Sequence, residues 1–400
     1  MPESTTVRDP RATRRLRPAV AAGLVAVMLA GCGAATSQSP SSGAASSSRS
    51  GATGATATGF PGGARPSSAK LAMIEPDAGV APVVALLASA TTSIDITVYD
   101  LDPAYTPVTG ALLAAQDRGV KVRVLISRTQ FPITGPQPSP AKVANLRALG
   151  LNAQLSRPEF SYSHEKSILI DAGTPAARAL VADFNLAQGY FGHDPAYPKE
   201  GETRGMAVLV TDPSDVAEIA SYFNADWPPY AQWPASTRPN LLWSPSQQTF
   251  TNPGNSTAAL TKLIAEAQTS LDLYVQELPL PAILYDPLVQ RAQDGLAIRI
   301  ISNDGGVDSK AVSGLRAAGV KLVYSATDPN GDGKPLYVHT KSIVADGGTD
   351  RAVAYVGSIN PFVDQSLQTE RELGVFVTEA GSVAQIRAVF DRDFTSARPA

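Results

Sequence analysis

The strongest constraint on this chain is an internal duplication. "ALLASATTSIDITVYDLDP" at 85–103 is echoed by "KLIAEAQTSLDLYVQELPL" at 262–280, and "ALLAAQDRGVKVRVLIS" at 111–127 by "PLVQRAQDGLAIRIIS" at 287–302. "LRALGLNAQL" at 146–155 then pairs with "LRAAGVKLVY" at 315–324, and "YFNADW" at 222–227 with "VFDRDF" at 389–394. One order is kept throughout, which chance similarity between helices would not preserve. Apolar-periodic stretches stop at Gly119 and Gly295 and run into strand-like segments. Ile94, Ile96 and Val98, like Leu271, Leu273 and Val275, alternate as one face of a strand does. Strands alternating with helices predict parallel or mixed sheets flanked by helices. The expected fold is α/β, with halves at 70–235 and 236–400 related by a pseudo-two-fold axis and the active site between them. With 44% hydrophobic residues, a chain of 400 can bury a core in each. "DWPPYAQWPASTRPNLLW" marks the junction, where Trp227, Trp233 and Trp243 are expected to pack.

The duplication also carries polar residues. "YSHEKSILID" at 162–171 has a twin in "YVHTKSIVAD" at 337–346, and both read His-x-Lys-x4-Asp. On a strand, side chains two apart share a face, so His164 and Lys166 point together, as do His339 and Lys341, while Glu165 points away. A strand end at the surface explains one such pattern. It does not explain why two of only three histidines in the chain repeat it. Two imidazoles meeting across a pseudo-two-fold axis can divide the work on a phosphodiester: one attacks phosphorus, and the other protonates the leaving oxygen and then deprotonates the acceptor. Lys166 and Lys341 can hold the non-bridging oxygens, with Asn185, Asn360 and Ser358 adding hydrogen bonds.

These motifs resemble the phospholipase D superfamily, in which each is followed by Gly-Ser-x-Asn. The second half continues as Gly357-Ser358-Ile359-Asn360, with Glu372 in "ERELGVFV". The first half reads "VADFNLAQ": Asn185 matches, whereas Ala182 and Asp183 stand where Gly and Ser are expected. The resemblance implies a covalent phosphohistidine intermediate and turnover without metal or cofactor. By analogy with two-motif enzymes it implies His164 as nucleophile and His339 as general acid/base. Each histidine needs an orienting acceptor. Glu372 occupies the family position for one, but Gly205 aligns with it in the first half, which leaves Glu202 in "GETRGMAVLV" as the nearest acidic candidate there. Asp171 and Asp346 are expected to brace their motif loops.

The N-terminus addresses location. Arg11, Arg14, Arg15 and Arg17 precede "AVAAGLVAVMLAGC", the order of an export signal, with an apolar run too short to span a bilayer comfortably. Leu29-Ala30-Gly31-Cys32 resembles the lipobox of bacterial lipoproteins, implying lipidation at Cys32 after removal of the signal (1–32) and anchorage on the outer face of the membrane. Cys32 is the only cysteine, which excludes an intramolecular disulfide and a multi-cysteine zinc site. Residues 33–69, rich in Ser, Gly, Ala and Thr, read as a flexible tether. Net charge is −3, and without the first 32 residues, which carry +3, the body carries −6. An acidic body disfavours a polyanionic partner. His193 falls in a loop-like insertion, and "DPNGDG" at 328–333 starts like a calcium loop but reaches His339 where a bidentate Glu is needed. The expected activity is hydrolysis of a phospholipid headgroup ester to phosphatidate at a membrane surface, with transfer to an alcohol also open. An exported nuclease, a cardiolipin-synthase-like phosphatidyltransferase and a silent binding lipoprotein are the alternatives. Because the duplication places both half-sites in one chain, a monomer suffices.

Overall fold

A computed structural model describes residues 59–132, 135–192, 202–327 and 335–400. The signal segment with Cys32, most of the tether, His193 and "DPNGDG" lie outside the described residues. The first half contains β1 (Lys70–Glu75), α1 (Ala81–Ala88), β2 (Ser93–Val98), α2 (Thr106–Asp117), β3 (Lys121–Ile126), α3 (Ser139–Ala148), β4 (Asn152–Leu155), β5 (Ser167–Ile170), β6 (Arg178–Ala182), β7 (Glu202–Val210) and α4 (Pro213–Asp226). The second repeats the series as β8 (Leu241–Ser244), α5 (Ser256–Glu266), β9 (Ser270–Val275), α6 (Tyr285–Gln293), β10 (Ala297–Ser302), α7 (Ser309–Ala317) and β11 (Lys321–Tyr324). It continues through β12 (Leu336–Val338), β13 (Ile343–Ala345), β14 (Val353–Gly357), α8 (Asp364–Gln368), β15 (Glu372–Val377), α9 (Ala380–Ser396) and β16 (Arg398–Pro399).

Each sheet is mixed. Strand order is β1-β7-β6-β5-β2-β3-β4 in the first and β16-β11-β10-β9-β13-β14-β15-β8 in the second. β2, β3 and β4 run parallel, as do β9, β10 and β11, because helices return the chain between them. The remaining strands of each main path pair antiparallel. The predicted helix–glycine–strand turns are present: Gly119, Gly150, Gly295 and Gly319 all have φ between 89° and 96°, a region open to glycine at little cost.

β2 differs from the alternating pattern, since all of its residues from Ile94 to Val98 are buried. Apolar layers cover both faces of its sheet. The cost of burying Asp95 is offset by Arg123, whose Nε and Nη2 donate to it at 2.7 and 2.8 Å. One layer holds the halves together: Leu169, Val181 and Val208 of the first sheet and Ala354, Val356 and Leu373 of the second enclose Ile219 and Phe223 of α4 and Ile386 and Phe390 of α9. The repeated "YFNADW" and "VFDRDF" segments are therefore the helix ends of the shared core.

The expected tether boundary at 69 is too late. Gly62 N donates to Glu266 Oε2 (3.1 Å), Arg65 N to Asn240 Oδ1 (2.9 Å) and Ser67 N to Thr378 Oγ1 (2.9 Å), so residues 60–69 are pinned along the second half. Ala64 and Ala69 are buried there, each within an apolar core layer. No described helix is long and apolar enough to cross a membrane.

Candidate active site

The motif histidines are not inside strands. β5 begins at Ser167, and residues 163–166 form an extended lead-in that is held by the other half. His164 N and Glu165 N both donate to the Arg371 carbonyl at 2.8 Å, and His339 N and Thr340 N donate to the Arg204 carbonyl at 3.1 and 2.9 Å. The Ser163–Arg371 bridge and the pairing of β12 with the start of β7 extend these crossings. A backbone that gives its N–H groups to the opposite half cannot use them in its own sheet.

Arg371 and Arg204 are themselves fixed. Arg371 is 1% exposed; its Nε donates to Asp226 Oδ2 (2.7 Å) and its Nη1 to the Ser244 carbonyl (3.0 Å), inside a cage of Phe160, Tyr222 and Trp233. Arg204 mirrors it, with Asp393 at 2.7 Å and the Glu75 carbonyl at 2.7 Å. Sequence reasoning missed this pair of arginines. The signal was present, since each lies one residue before the aligned pair Gly205/Glu372, and Asp226 and Asp393 sit in the duplicated aromatic segments. Trp233 and Trp243 pack at the junction as expected: Trp233 stacks on Phe160 and donates to Asp226 (2.6 Å), and Trp243 stacks on Tyr222 and donates to Glu218 (3.0 Å). Trp227 is half-buried and packs on the same shared layer by stacking on Phe223.

Glu372 holds His164, with Nδ1 lying 3.1 and 3.0 Å from its two oxygens. Glu202, the first-half candidate, pairs at the start of β7 with Leu336, and it is Glu372 from the opposite half that reaches His164. Ser366 Oγ donates to the same carboxylate at 2.5 Å. Burial pushes His164 down to about 4, against the upward pull of Glu372. Burial, followed by Lys341, Lys166 and His164, holds His339 well below the ordinary range, and its ring hydrogen-bonds the Asp183 main chain. Both imidazoles are thus neutral near pH 7. A neutral His164 with Nδ1–H on Glu372 leaves the Nε2 lone pair free to attack.

Lys166 and Lys341 are buried, and each hooks back to the carbonyl of its own histidine; Lys341 Nζ is also 3.2 Å from His339 Nδ1. Burial lowers both, Lys166 strongly and Lys341 to about 8, and Asp183 is the strongest group raising Lys341. Tyr99 sets its edge against His164 (5.1 Å), and Tyr190 does so against His339 (5.0 Å).

Other expected site residues are placed differently from one another. Asp171 accepts from Thr91, Thr92 and Ser93 N–H groups, and Asp346 from Gln268 and Thr269, at strand ends where each has φ 53°. Ser358 Oγ is engaged with the Leu373 backbone and lies against Glu372 rather than open to a ligand. Asn185 bonds Tyr190 Oη (2.9 Å) and the Asp100 N–H (3.3 Å), whereas Asn360 keeps a buried oxygen without a partner. Among described residues, His164, Glu370 and Glu372 bring ligand-type atoms within 4.8 Å, but His164 and Ser366 already occupy Glu372. Burial beside Glu372 pushes Glu370 well up, so it can be protonated there.

Two duplicated α/β halves with a histidine–lysine pair crossing from each into the other define the phospholipase D class of site. The family described as "Cardiolipin synthase, PLD-like domain" matches residues 83–227 and 260–394. The chain belongs to that family, within a superfamily of phosphodiesterases and phosphotransferases. Among solved structures, polyphosphate kinase from Porphyromonas gingivalis is similar at 16% identity and TM-score 0.58, covering 81% of this chain and 50% of its own. This chain thus spans half the length of that kinase. Phosphatidylserine synthase from Haemophilus influenzae is similar at 12% identity and TM-score 0.56, with 79% and 84% covered. At these identities the likeness concerns the fold. No curated protein matches the sequence.

Proposed function

We propose that this protein is an exported, lipid-anchored phospholipase D acting on phospholipid headgroup esters. His164 Nε2 attacks phosphorus; the new P–N bond replaces the bond to the headgroup oxygen, which takes a proton from His339. His339 then removes a proton from water, and the oxygen displaces His164 to give phosphatidate. The histidines are neutral in the free protein, so His339 gains its proton when the anionic phosphate enters and offsets the charge of the two lysines. Lys166 and Lys341 supply positive charge to the phosphoryl oxygens in a buried setting, where it counts most.

One observation carries the preference for a lipid headgroup. Beside His339 an open cleft of about 530 Å³ is lined by Glu277, Asp308, Gln276 and Tyr337, and by Asp304, which Arg398 holds at 2.9 Å, with no lysine or arginine in the lining itself. The Tyr337 ring lies 6.2 Å from that of His339. Carboxylates there suit the ammonium of a zwitterionic headgroup and repel a polynucleotide. The match to a cardiolipin-synthase-type domain favours transfer to an alcohol as a second reading. The full chain is tested on phosphatidylcholine and phosphatidylethanolamine vesicles, with and without glycerol, against single-stranded DNA. Release of phosphatidate or of a phosphatidylglycerol product is expected. Cleavage of DNA with intact vesicles would overturn the lipid reading.

A further inference from the structure

The two half-sites break their symmetry at one place. β15 presents Glu372 opposite Ser244 of β8, and β7 presents Gly205 opposite Glu75 of β1. The arginine before each makes the same crossing, so Gly205 is the structural counterpart of Glu372. The first half therefore lacks a carboxylate where the second half has one. Position 183 departs in the opposite sense, being Asp where the second half has Ser358. Both residues take the same backbone bond: Met206 N donates to Asp183 Oδ1 at 2.9 Å, and Leu373 N to Ser358 Oγ at 3.2 Å.

The two departures occupy one space. A Cβ on residue 205 would stand 3.1 Å from Asp183 Oδ1 and 2.8 Å from Phe184 Cδ1. A glutamate side chain at 205 has no room while Asp183 and Phe184 are in place, and the aspartate has room because 205 is glycine. Asp183 is 0% exposed, and its main chain bonds the His339 ring. We propose that Asp183 replaces the missing carboxylate of the first half, acting as the positioning residue for Lys341 of the second motif. Each half-site then retains one carboxylate, delivered from strand β15 in one and from the end of β6 in the other.

The consequence is visible in proton affinity. Burial raises Asp183 to about 6 and Lys341 lowers it, while Asp183 in turn raises Lys341. The titratable groups facing Lys341 are His339 at 3.2 Å, Asp183, Glu370 and Glu372, Glu277 beyond β9, and Lys166 across the interface. Neutralising Asp183 removes the strongest of the raising groups, so Lys341 must lose its proton at lower pH.

The proposal rests on the paired-histidine phosphodiester chemistry but not on the lipid substrate, so its tests avoid lipid. In full-chain protein, the Lys341 Cε resonance, assigned with K341R, is titrated in wild type and D183N. The D183N midpoint is expected about one unit lower, and the alkaline limb of kcat on bis-p-nitrophenyl phosphate should move with it as kcat falls about 10- to 100-fold. An unmoved Lys341 midpoint overturns the proposal whatever the activity. The exchange is then reversed with the second half's residues: D183S/F184I removes the carboxylate, and adding G205E to that background should restore about tenfold or more. No recovery in a triple variant that melts like the double variant also overturns it. If D183S/F184I fails to fold, the D183N titration decides.

Discussion

Asp226 lies well past the His164 motif in the chain and supports it through Arg371, and its removal should be felt as lost stability. It is 3% exposed and serves Arg371 Nε at 2.7 Å, the Trp233 indole at 2.6 Å and, more distantly, Arg157 at 3.7 Å. Asp226→Ala leaves the Arg371 guanidinium buried without its counter-ion and an indole N–H without an acceptor. Removing one member of a buried pair costs about 3–5 kcal/mol. The body that begins at Gly59 and runs to Ala400 should have an unfolding entropy near 0.7 kcal/mol/K, at about 2.1 cal/mol/K per residue. The melting temperature should therefore fall by about 4–7 °C. Turnover should fall too, because the Arg371 carbonyl that anchors His164 and Glu165 loses its support. Replacing both charges, as in D226L/R371M, removes the unpaired ion and should recover more than half of the lost melting temperature. Circular dichroism melts of the full chain at pH 7 read both effects. A D226A melting temperature within 1 °C of wild type would refute the claim that this ion pair sustains the crossing.

His164→Asn and His339→Asn should each lower turnover by roughly 10⁴-fold or more without changing the melt. With a p-nitrophenyl phosphodiester, whose leaving group needs no proton, H339N should accumulate a phosphoryl adduct on His164 by mass spectrometry. An adduct on His339 in H164N would reverse the assignment. Asp171 is held near 2 because, against burial, the Thr92, Ser93 and Thr91 N–H groups stabilise its charge. Its contribution is present above the ordinary aspartate value of about 3.9 and is lost as pH falls through 2, so D171N should cost about 2 kcal/mol at pH 7. That deficit should close between pH 4 and 2 in urea titrations; a constant deficit would mean that packing, not charge, is responsible.

Much of the site was legible in local pattern. The order of the repeats implied two α/β halves, and His164, Lys166, His339 and Lys341 were marked by a motif that recurs at matching positions. Strand periodicity and glycine stops are short-range effects, so a linear reading captures them. It failed where partners meet only once the sheets are assembled. Glu202 was closest in sequence to the expected carboxylate position, yet Glu372 meets His164 because the halves exchange their motif segments. Ser358, expected at the phosphate, turns to the Leu373 backbone because β15 passes beside it. Arg204 and Arg371 repeat in the sequence, but nothing local says that their carbonyls hold the histidines.

Asp183 shows the division most clearly. From the sequence it was a departure that left the first half without its Gly-Ser pair, and Gly205 was a gap in the acidic series. Only the pairing of β6 with β7 brings the two together, because the Asp183 carboxyl lies where a side chain at 205 would begin. Sequence alone determined the duplicated architecture and the reactive residue types, since both follow from periodicity and composition along the chain. Tertiary structure decided which carboxylate serves which histidine, since steric exclusion and charge pairing act across space.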